Sequence, residues 1–302
     1  MSFMFGLIKT TREWNRMLLV LMAIGLTSCT PGDVEEAPAP EPETAAFTSP
    51  RLYIMDCGII TAMNPENYDL RPEEISGSGD FFTPCYLVEH PQGTLIWDVG
   101  QIPDADFPED GTMASAGVFL AEKPLLPQLR EIGYEASEIT YLAMSHYHTD
   151  HSANANSFAA STWIVQRVER DAMFGEEPAG LSEGSYYDQL ETSETIVVEN
   201  EDHDVFGDGS VVIKFTPGHT PGHQSLFVDL ANRGPILLAG DLYHYVEERT
   251  LDRVPGFDFD QEMTRESRRG IEDFLVESGS EMWIEHDIAL NDTLDKSPAF
   301  YD

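Results

Sequence analysis

The feature that most constrains this 302-residue chain is a run of six residues, His146-Tyr147-His148-Thr149-Asp150-His151, in which four side chains can bind a metal. It follows the apolar stretch Ile139 to Met144 and precedes the small, polar Ser152-Ala153-Asn154-Ala155-Asn156. A strand that ends and turns into such a run brings alternate side chains toward one point. Imidazole and carboxylate are the donors that borderline metals prefer. A solvated polar loop is the alternative, and three further segments argue against it. Phe215-Thr216-Pro217-Gly218-His219-Thr220-Pro221-Gly222-His223 sets His219 in a Gly/Pro turn just past another strand, where glycine allows close backbone approach. Leu237-Leu238-Ala239-Gly240-Asp241 is an apolar strand that stops at a carboxylate placed to bridge two cations, and Met282-Trp283-Ile284-Glu285-His286 stops at a histidine. Strand ends gathered on one edge are where layered α/β folds build their sites.

The rest of the pattern supplies the layers. Residues 51–60, 81–89, 94–98, 139–144, 162–166, 194–198, 210–215, 224–228, 235–238 and 282–285 read as strands, rich in β-branched, aromatic and aliphatic side chains and broken by Gly, Pro and Asn. Leu125, Leu129 and Ile132 recur at helical spacing before Gly133, and helices are also expected over 167–174 and 261–276, the last with Ile271, Phe274 and Leu275 facing inward. Strands alternating with a few helices predict an α/β or α+β sandwich of two sheets covered by helices.

The N-terminus reads as an address. Lys9, Arg12 and Arg16 precede the apolar run Met17 to Leu26 and then Leu26-Thr27-Ser28-Cys29, which resembles a bacterial lipobox. Ten apolar residues are too few for a spanning helix, which needs about twenty, but they suit a signal peptide. Residues 1–28 are therefore expected to be a lipoprotein signal peptide, with Cys29 lipidated on an exported, membrane-anchored protein, periplasmic or at the cell surface. Residues 29–50 read as an acidic, Pro-rich tether, since Thr30 to Pro50 holds five prolines, five acids, no base and one aromatic. The catalytic domain is expected over 51–302. The chain carries 54 acidic and 17 basic residues; losing residues 1–28 removes three bases and one acid, which deepens the charge from −37 to −39. So acidic a surface disfavours nucleic acid, whose affinity comes from Lys and Arg on phosphates.

Together, the HxHxDH run, His219, Asp241 and His286 resemble the metallo-β-lactamase superfamily over essentially all of residues 51–302, and Leu95-Ile96-Trp97-Asp98-Val99-Gly100 is similar to an early strand of that family. The resemblance implies an αββα sandwich, two mixed β-sheets flanked by helices, with two divalent metal ions. Zn2+ is expected first, and Fe, Mn or Co fit the same N/O ligands. His146, His148 and His219 would hold one ion, Asp150, His151 and His286 the other, with Asp241 bridging and Asp98 steadying a ligand imidazole. Asp241 sets the chain apart from true β-lactamases. The order and spacing of the ligand segments, with Pro84-Cys85-Tyr86-Leu87, look most like the N-acyl homoserine lactonases, which implies opening of a small neutral lactone or ester. A β-lactamase-like, phosphodiester-cleaving or general esterase member of the superfamily, or a non-catalytic metal-binding surface lipoprotein, are the competing readings. Asp150 would orient a hydroxide and pass a proton to the leaving alkoxide. Those lactonases carry a tyrosine three residues beyond the bridging aspartate; here His244 stands there between Tyr243 and Tyr245, and any of the three could donate to substrate. Monomer and dimer are both left open.

Other residues have plainer readings. His223 is expected to support the site rather than ligate, and His90 and His203 to lie on the surface. Gly180-Leu181-Ser182-Glu183-Gly184 matches GxSxG but lacks the preceding strand of a nucleophile elbow. Asp104 to Gly111 lacks EF-hand spacing and reads as a solvated loop. Cys57 and Cys85 lie in apolar strands, and buried free thiols are the favoured reading over a disulfide.

Overall fold

The computed structural model describes residues 47–176 and 179–302. The expected signal peptide, Cys29 and nearly all of the tether lie outside the described residues, among which no helix is long and apolar enough to cross a membrane.

The strands are β1 Arg51–Ile60, β2 Phe81–His90, β3 Gly93–Trp97, β4 Ala114–Ala116, β5 Phe119–Ala121, β6 Tyr141–Ala143, β7 Thr162–Gln166, β8 Thr195–Val198, β9 His203–Asp204, β10 Val211–Phe215, β11 Gln224–Leu230, β12 Gly234–Leu238, β13 Glu281–Trp283 and β14 Phe300–Tyr301. The helices are α1 Leu125–Ile132, α2 Thr149–Ser152, α3 Arg167–Met173, α4 Val246–Leu251, α5 Gln261–Ser278 and α6 Ile288–Asn291. One sheet runs β4-β5-β1-β2-β3-β6-β7-β8 with β14 also on β1, and the other runs β13-β12-β11-β10-β9. Both are mixed. In the first, β3, β6, β7 and β8 are parallel neighbours; in the second, only β12 and β13 are.

Alternation along the strands separates three cores. Leu52, Ile54, Tyr86, Val88, Leu95 and Trp97 of the first sheet meet Val211, Ile213, Leu226, Val228, Ile236 and Leu238 of the second. The intervening Met55, Leu87 and Ile96 face the other way, against Leu125 and Leu129 of α1 and Met173 of α3. Leu237 likewise turns outward onto Ile271 and Leu275 of α5. Sheets covered on both faces need near-continuous apolar strands, which is why these segments were visible in the sequence. The result is the expected αββα sandwich.

Four residues or pairs differ from the sequence reading. Cys57 and Cys85 form a disulfide, with Cα atoms 5.9 Å apart. The β1–β2 register slips between Asp56 and Ile59, and Gly58 takes φ 118° there. Cys57 lies two residues beyond Met55, the strand partner of Cys85, so alternation puts it on the same buried face as both, and the two sulfurs meet diagonally across the strands. His90 is buried rather than superficial: its ring stacks on Phe206 with centroids 4.0 Å apart, and Nε2 lies 3.0 Å from Asp208 Oδ2. His203 is half-buried at β9. In the acidic loop, Asp104 has a specific task, accepting the N–H groups of Leu125 and Leu126 at 2.7 Å each. It thereby satisfies two of the donors that the start of α1 would leave orphaned.

Candidate metal centre

Five strand ends converge on one edge of the sandwich. The chain leaves β3 at Asp98, β6 at Ser145 to His151, β10 toward His219, β12 toward Asp241 and β13 toward His286. All seven predicted ligands come together there. One ligand atom each from His146, His148, His219 and Asp241 lies within 4.8 Å of the others, and the same holds for Asp150, His151, Asp241 and His286. Asp241 belongs to both groups. Its Oδ2 is 3.3 Å from His219 Nε2 and 3.6 Å from His146 Nε2, while its Oδ1 is 3.2 Å from His151 Nε2 and 3.0 Å from His286 Nε2. Asp150 Oδ2 is 3.4 Å from His151 Nε2 and 3.5 Å from His286 Nε2.

The chemistry of this set fits cations. His146 Nε2, His151 Nε2 and Asp241 Oδ1 are buried with no hydrogen-bond partner, and buried polar atoms left that way are costly. Burial, then the crowding of neighbouring imidazoles, holds His146 and His148 well below the usual histidine range, so both keep free lone pairs. Burial pushes the Asp150 carboxyl up, but the His151 imidazole outweighs it and brings it down to about 2.

The ligands are fixed from behind. Asp98, at φ 52° in the left-handed region that Asp tolerates, accepts the Ser145 N–H at 2.6 Å and the Ser145 hydroxyl at 2.9 Å, and its Oδ2 lies 2.8 Å from His151 Nδ1. His286 Nδ1 lies 2.8 Å from the Phe82 carbonyl, and His219 Nδ1 lies 3.0 Å from Asp258 Oδ1. A carbonyl or carboxylate behind the ring leaves the opposite nitrogen to face the cluster. His223 does not ligate: its Nε2 accepts the Asp241 N–H at 3.0 Å and its Nδ1 is 3.0 Å from the Thr216 carbonyl. Burial lowers it to about 3, so it stays neutral. Glu285 accepts the Gly240 N–H at 3.0 Å, fixing the residue before Asp241.

Of the three substrate-contact candidates, only His244 lines the cavity. The Tyr243 hydroxyl donates to Glu272 at 3.3 Å and the Tyr245 hydroxyl to the Met63 carbonyl at 3.4 Å, so both tyrosines are corrected to structural residues. Their rings are held by packing, Tyr243 beneath the Arg268 guanidinium and Tyr245 against Phe81. His244 presents Nε2 3.1 Å from Asp241 Oδ2 and Nδ1 3.2 Å from Glu248 Oε1. Burial opposes its charge, yet the two carboxylates lift it to about 10. Glu248 is itself buried and paired with Arg268 at 2.6 Å. Glu248, Asp258 and Glu169 carried no marker in the sequence; Glu248 is four residues from His244, but His244 precedes Tyr245, the N-cap of α4, so the two do not share a helix face. Within the GxSxG match, Ser182 has no nucleophile setting: its hydroxyl donates to the Ala179 carbonyl at 2.7 Å.

Above the cluster opens a cavity of about 1140 Å³. Asp150, Asp241, His148, His219, His244 and His286 contribute its polar lining, and Ile60, Met63, Phe81, Phe119 and Val254 are among its apolar walls.

Comparison with known proteins agrees with this geometry. The chain is 28 % identical over 267 residues to an N-acyl homoserine lactonase AttM of Rhizobium johnstonii, covering 84 % of this chain and 100 % of the relative. It is 29 % identical over 258 residues to an N-acyl homoserine lactonase of a Bacillus species, covering 80 % and 95 %. A solved N-acyl homoserine lactone hydrolase with N-hexanoyl-L-homoserine bound at its catalytic metal centre superposes with a TM-score of 0.69 at 25 % identity, over 84 % of this chain and 100 % of that one. Residues 78–277 match the Metallo-beta-lactamase superfamily, and the chain belongs to that superfamily.

Proposed function

We propose that this protein is a dinuclear metal-dependent hydrolase that opens the ring of N-acyl homoserine lactones, a quorum-quenching activity. The observation that carries the reading is a cavity in which a His/Asp cluster meets apolar walls, a shape suited to a polar ring on an apolar acyl tail. The lactonase names of relatives matched over 80 % or more of this chain support it.

The ligand roles follow the two groups. His146, His148 and His219 would hold one ion and Asp150, His151 and His286 the other, with Asp241 common to both ligand groups. When bound, two divalent ions, zinc first among those that N/O ligands accept, make water acidic enough to supply hydroxide near neutral pH and polarise the ester carbonyl. Asp150, which lines the cavity, takes the proton as the water oxygen bonds to the acyl carbon. It delivers that proton to the ring oxygen as the ring C–O bond breaks, so that lactone and water become a hydroxy acid. Asp98, Asp258 and the Phe82 carbonyl keep the ligand rings aimed throughout.

We also propose that the protein is exported and held at a membrane by a lipid on Cys29. The Cys57–Cys85 disulfide supports an oxidising compartment. Loss of membrane association in a Cys29→Ala variant is the expected result, and unchanged fractionation contradicts it.

The test of function is a panel. Purified, metal-loaded protein should form acid from N-acyl homoserine lactones faster than from simple esters or β-lactams. Turnover of β-lactams or simple esters alone would assign it to another activity of the superfamily.

A further inference from the structure

We propose that Tyr68 is a catalytic residue, its phenol donating a hydrogen bond to the carbonyl oxygen of the ester cleaved at this site. The inference rests on the hydrolase reading above and names a group that no sequence pattern marked.

Tyr68 closes a 3-10 turn, Pro65–Tyr68, whose start is capped by the Asn64 side chain accepting the Glu66 N–H at 3.2 Å. The turn carries Tyr68 into an aromatic box. Its ring meets Phe81, Tyr245 and Phe257 edge-on at centroid distances of 5.4, 5.1 and 5.3 Å and tilts over His244 at 4.8 Å. The residue is 3 % exposed, yet it lines the cavity together with Asp150, Asp241 and His244. A buried phenol ordinarily finds a hydrogen-bond partner. Tyr53 has Glu89, Tyr187 has Ser182, Tyr243 has Glu272 and Tyr245 has the Met63 carbonyl. Among the described residues the hydroxyls of three buried tyrosines, Tyr68, Tyr86 and Tyr147, have none; that of Tyr86 is fully enclosed, and of the three only Tyr68 lines the cavity.

Elimination strengthens the assignment. Both ring nitrogens of His244 already face carboxylates, Asp241 and Glu248. The Thr149 hydroxyl is spent on the Leu181 carbonyl at 3.0 Å and that of Ser182 on Ala179 at 2.7 Å. The Gln261 amide donates to the Val254 and Pro255 carbonyls at 3.2 and 3.0 Å, and Asn67 is exposed. Of the hydroxyls on the wall, those of Tyr68, Thr149 and Ser182, the uncommitted one is therefore the Tyr68 phenol. Burial, then the negative charges of Asp241 and Asp150, holds it protonated, so it donates and never acts as a base. No proton leaves it. As the water oxygen bonds to the acyl carbon, charge grows on the carbonyl oxygen and the phenol's hydrogen bond strengthens, which is the requirement for lowering the barrier.

Tyr68→Phe removes one oxygen and keeps the box. Steady-state kinetics on N-hexanoyl homoserine lactone should show kcat reduced roughly 100-fold with KM little changed, the scale of losing one such donor, while metal content stays that of the parent. An unchanged kcat overturns the proposal. If the parent protein opens no lactone, the functional reading falls by itself, and Tyr68 is judged by binding instead. The cobalt-substituted protein is titrated with N-hexanoyl-homoserine and followed by visible absorption. Affinity about tenfold weaker in Tyr68→Phe, at equal cobalt content, supports a donor to a carboxyl or carbonyl oxygen; equal affinity overturns it.

Discussion

Gly222 donates its backbone N–H to Glu169 Oε2 at 2.7 Å, and the two backbones lie so close that a Cβ on residue 222 would stand 2.5 Å from the Glu169 Cβ. The other oxygen of the same carboxylate accepts the Tyr147 N–H at 3.0 Å, and the Thr220 hydroxyl reaches both oxygens at 2.9 Å. One buried side chain from α3 thus ties the loop of His146 and His148 to the loop of His219. Glu169→Gln turns one acceptor into a donor facing an N–H. Leaving a buried group unsatisfied costs about 1–3 kcal/mol, so thermal melting should fall by roughly 2–12 °C for a domain of this size. Gly222→Ala should cost more, because backbone atoms, not a mobile side-chain end, fill the space. Melting curves of the metal-loaded variants check both.

Asp98 decides which nitrogen of His151 faces the cluster. Asp98→Asn keeps the shape and the tolerance for φ 52°, but it replaces a carboxylate oxygen beside Nδ1 by an amide. Losing such a supporting partner typically weakens metal affinity by about 10–100-fold. Competition against a graded series of chelators should show that loss while far-UV circular dichroism remains unchanged.

Asp241 is the carboxylate shared by the two ligand groups. Asp241→Ala should therefore retain at most one tightly held ion per chain after dialysis. Elemental analysis that finds two retained ions in this variant contradicts the bridging role.

The disulfide closes a loop with a sequence separation of 28 between neighbouring strands. On the chain-entropy model, a loop of that length contributes about 3–4 kcal/mol. The paired Cys57→Ala, Cys85→Ala variant should melt roughly 6–16 °C lower at two to four degrees per kcal/mol. Its expected metal content is that of the parent, because neither sulfur belongs to a ligand group.

What the sequence showed and what it hid divide along physical lines. Strands such as β1, β2 and β7 are legible because both of their faces are buried, so apolar character runs unbroken. β4, β5, β9 and β14 are two or three residues long and carry no period. The ligands were legible because each sits where an apolar strand stops. Their supports were not: Asp258 reaches His219 across 39 residues and Glu169 reaches Gly222 across 53, and only the folded chain creates those neighbours. The Cys57–Cys85 pairing was not legible because it depends on strand register: Met55, not Cys57, stands directly opposite Cys85, and only the folded chain brings the two sulfurs together. Tyr68 had no marker because its role depends on a cavity assembled from several distant segments.

The central claim is that paired metal ions held by these residues open a lactone. Metal-stripped protein titrated with zinc, while acid release from N-hexanoyl homoserine lactone is followed, tests it most directly. Activity should be absent at the start and rise with added zinc to a plateau at two equivalents per chain. Turnover by the stripped protein, or none at any zinc level with the protein fully folded, would contradict the account.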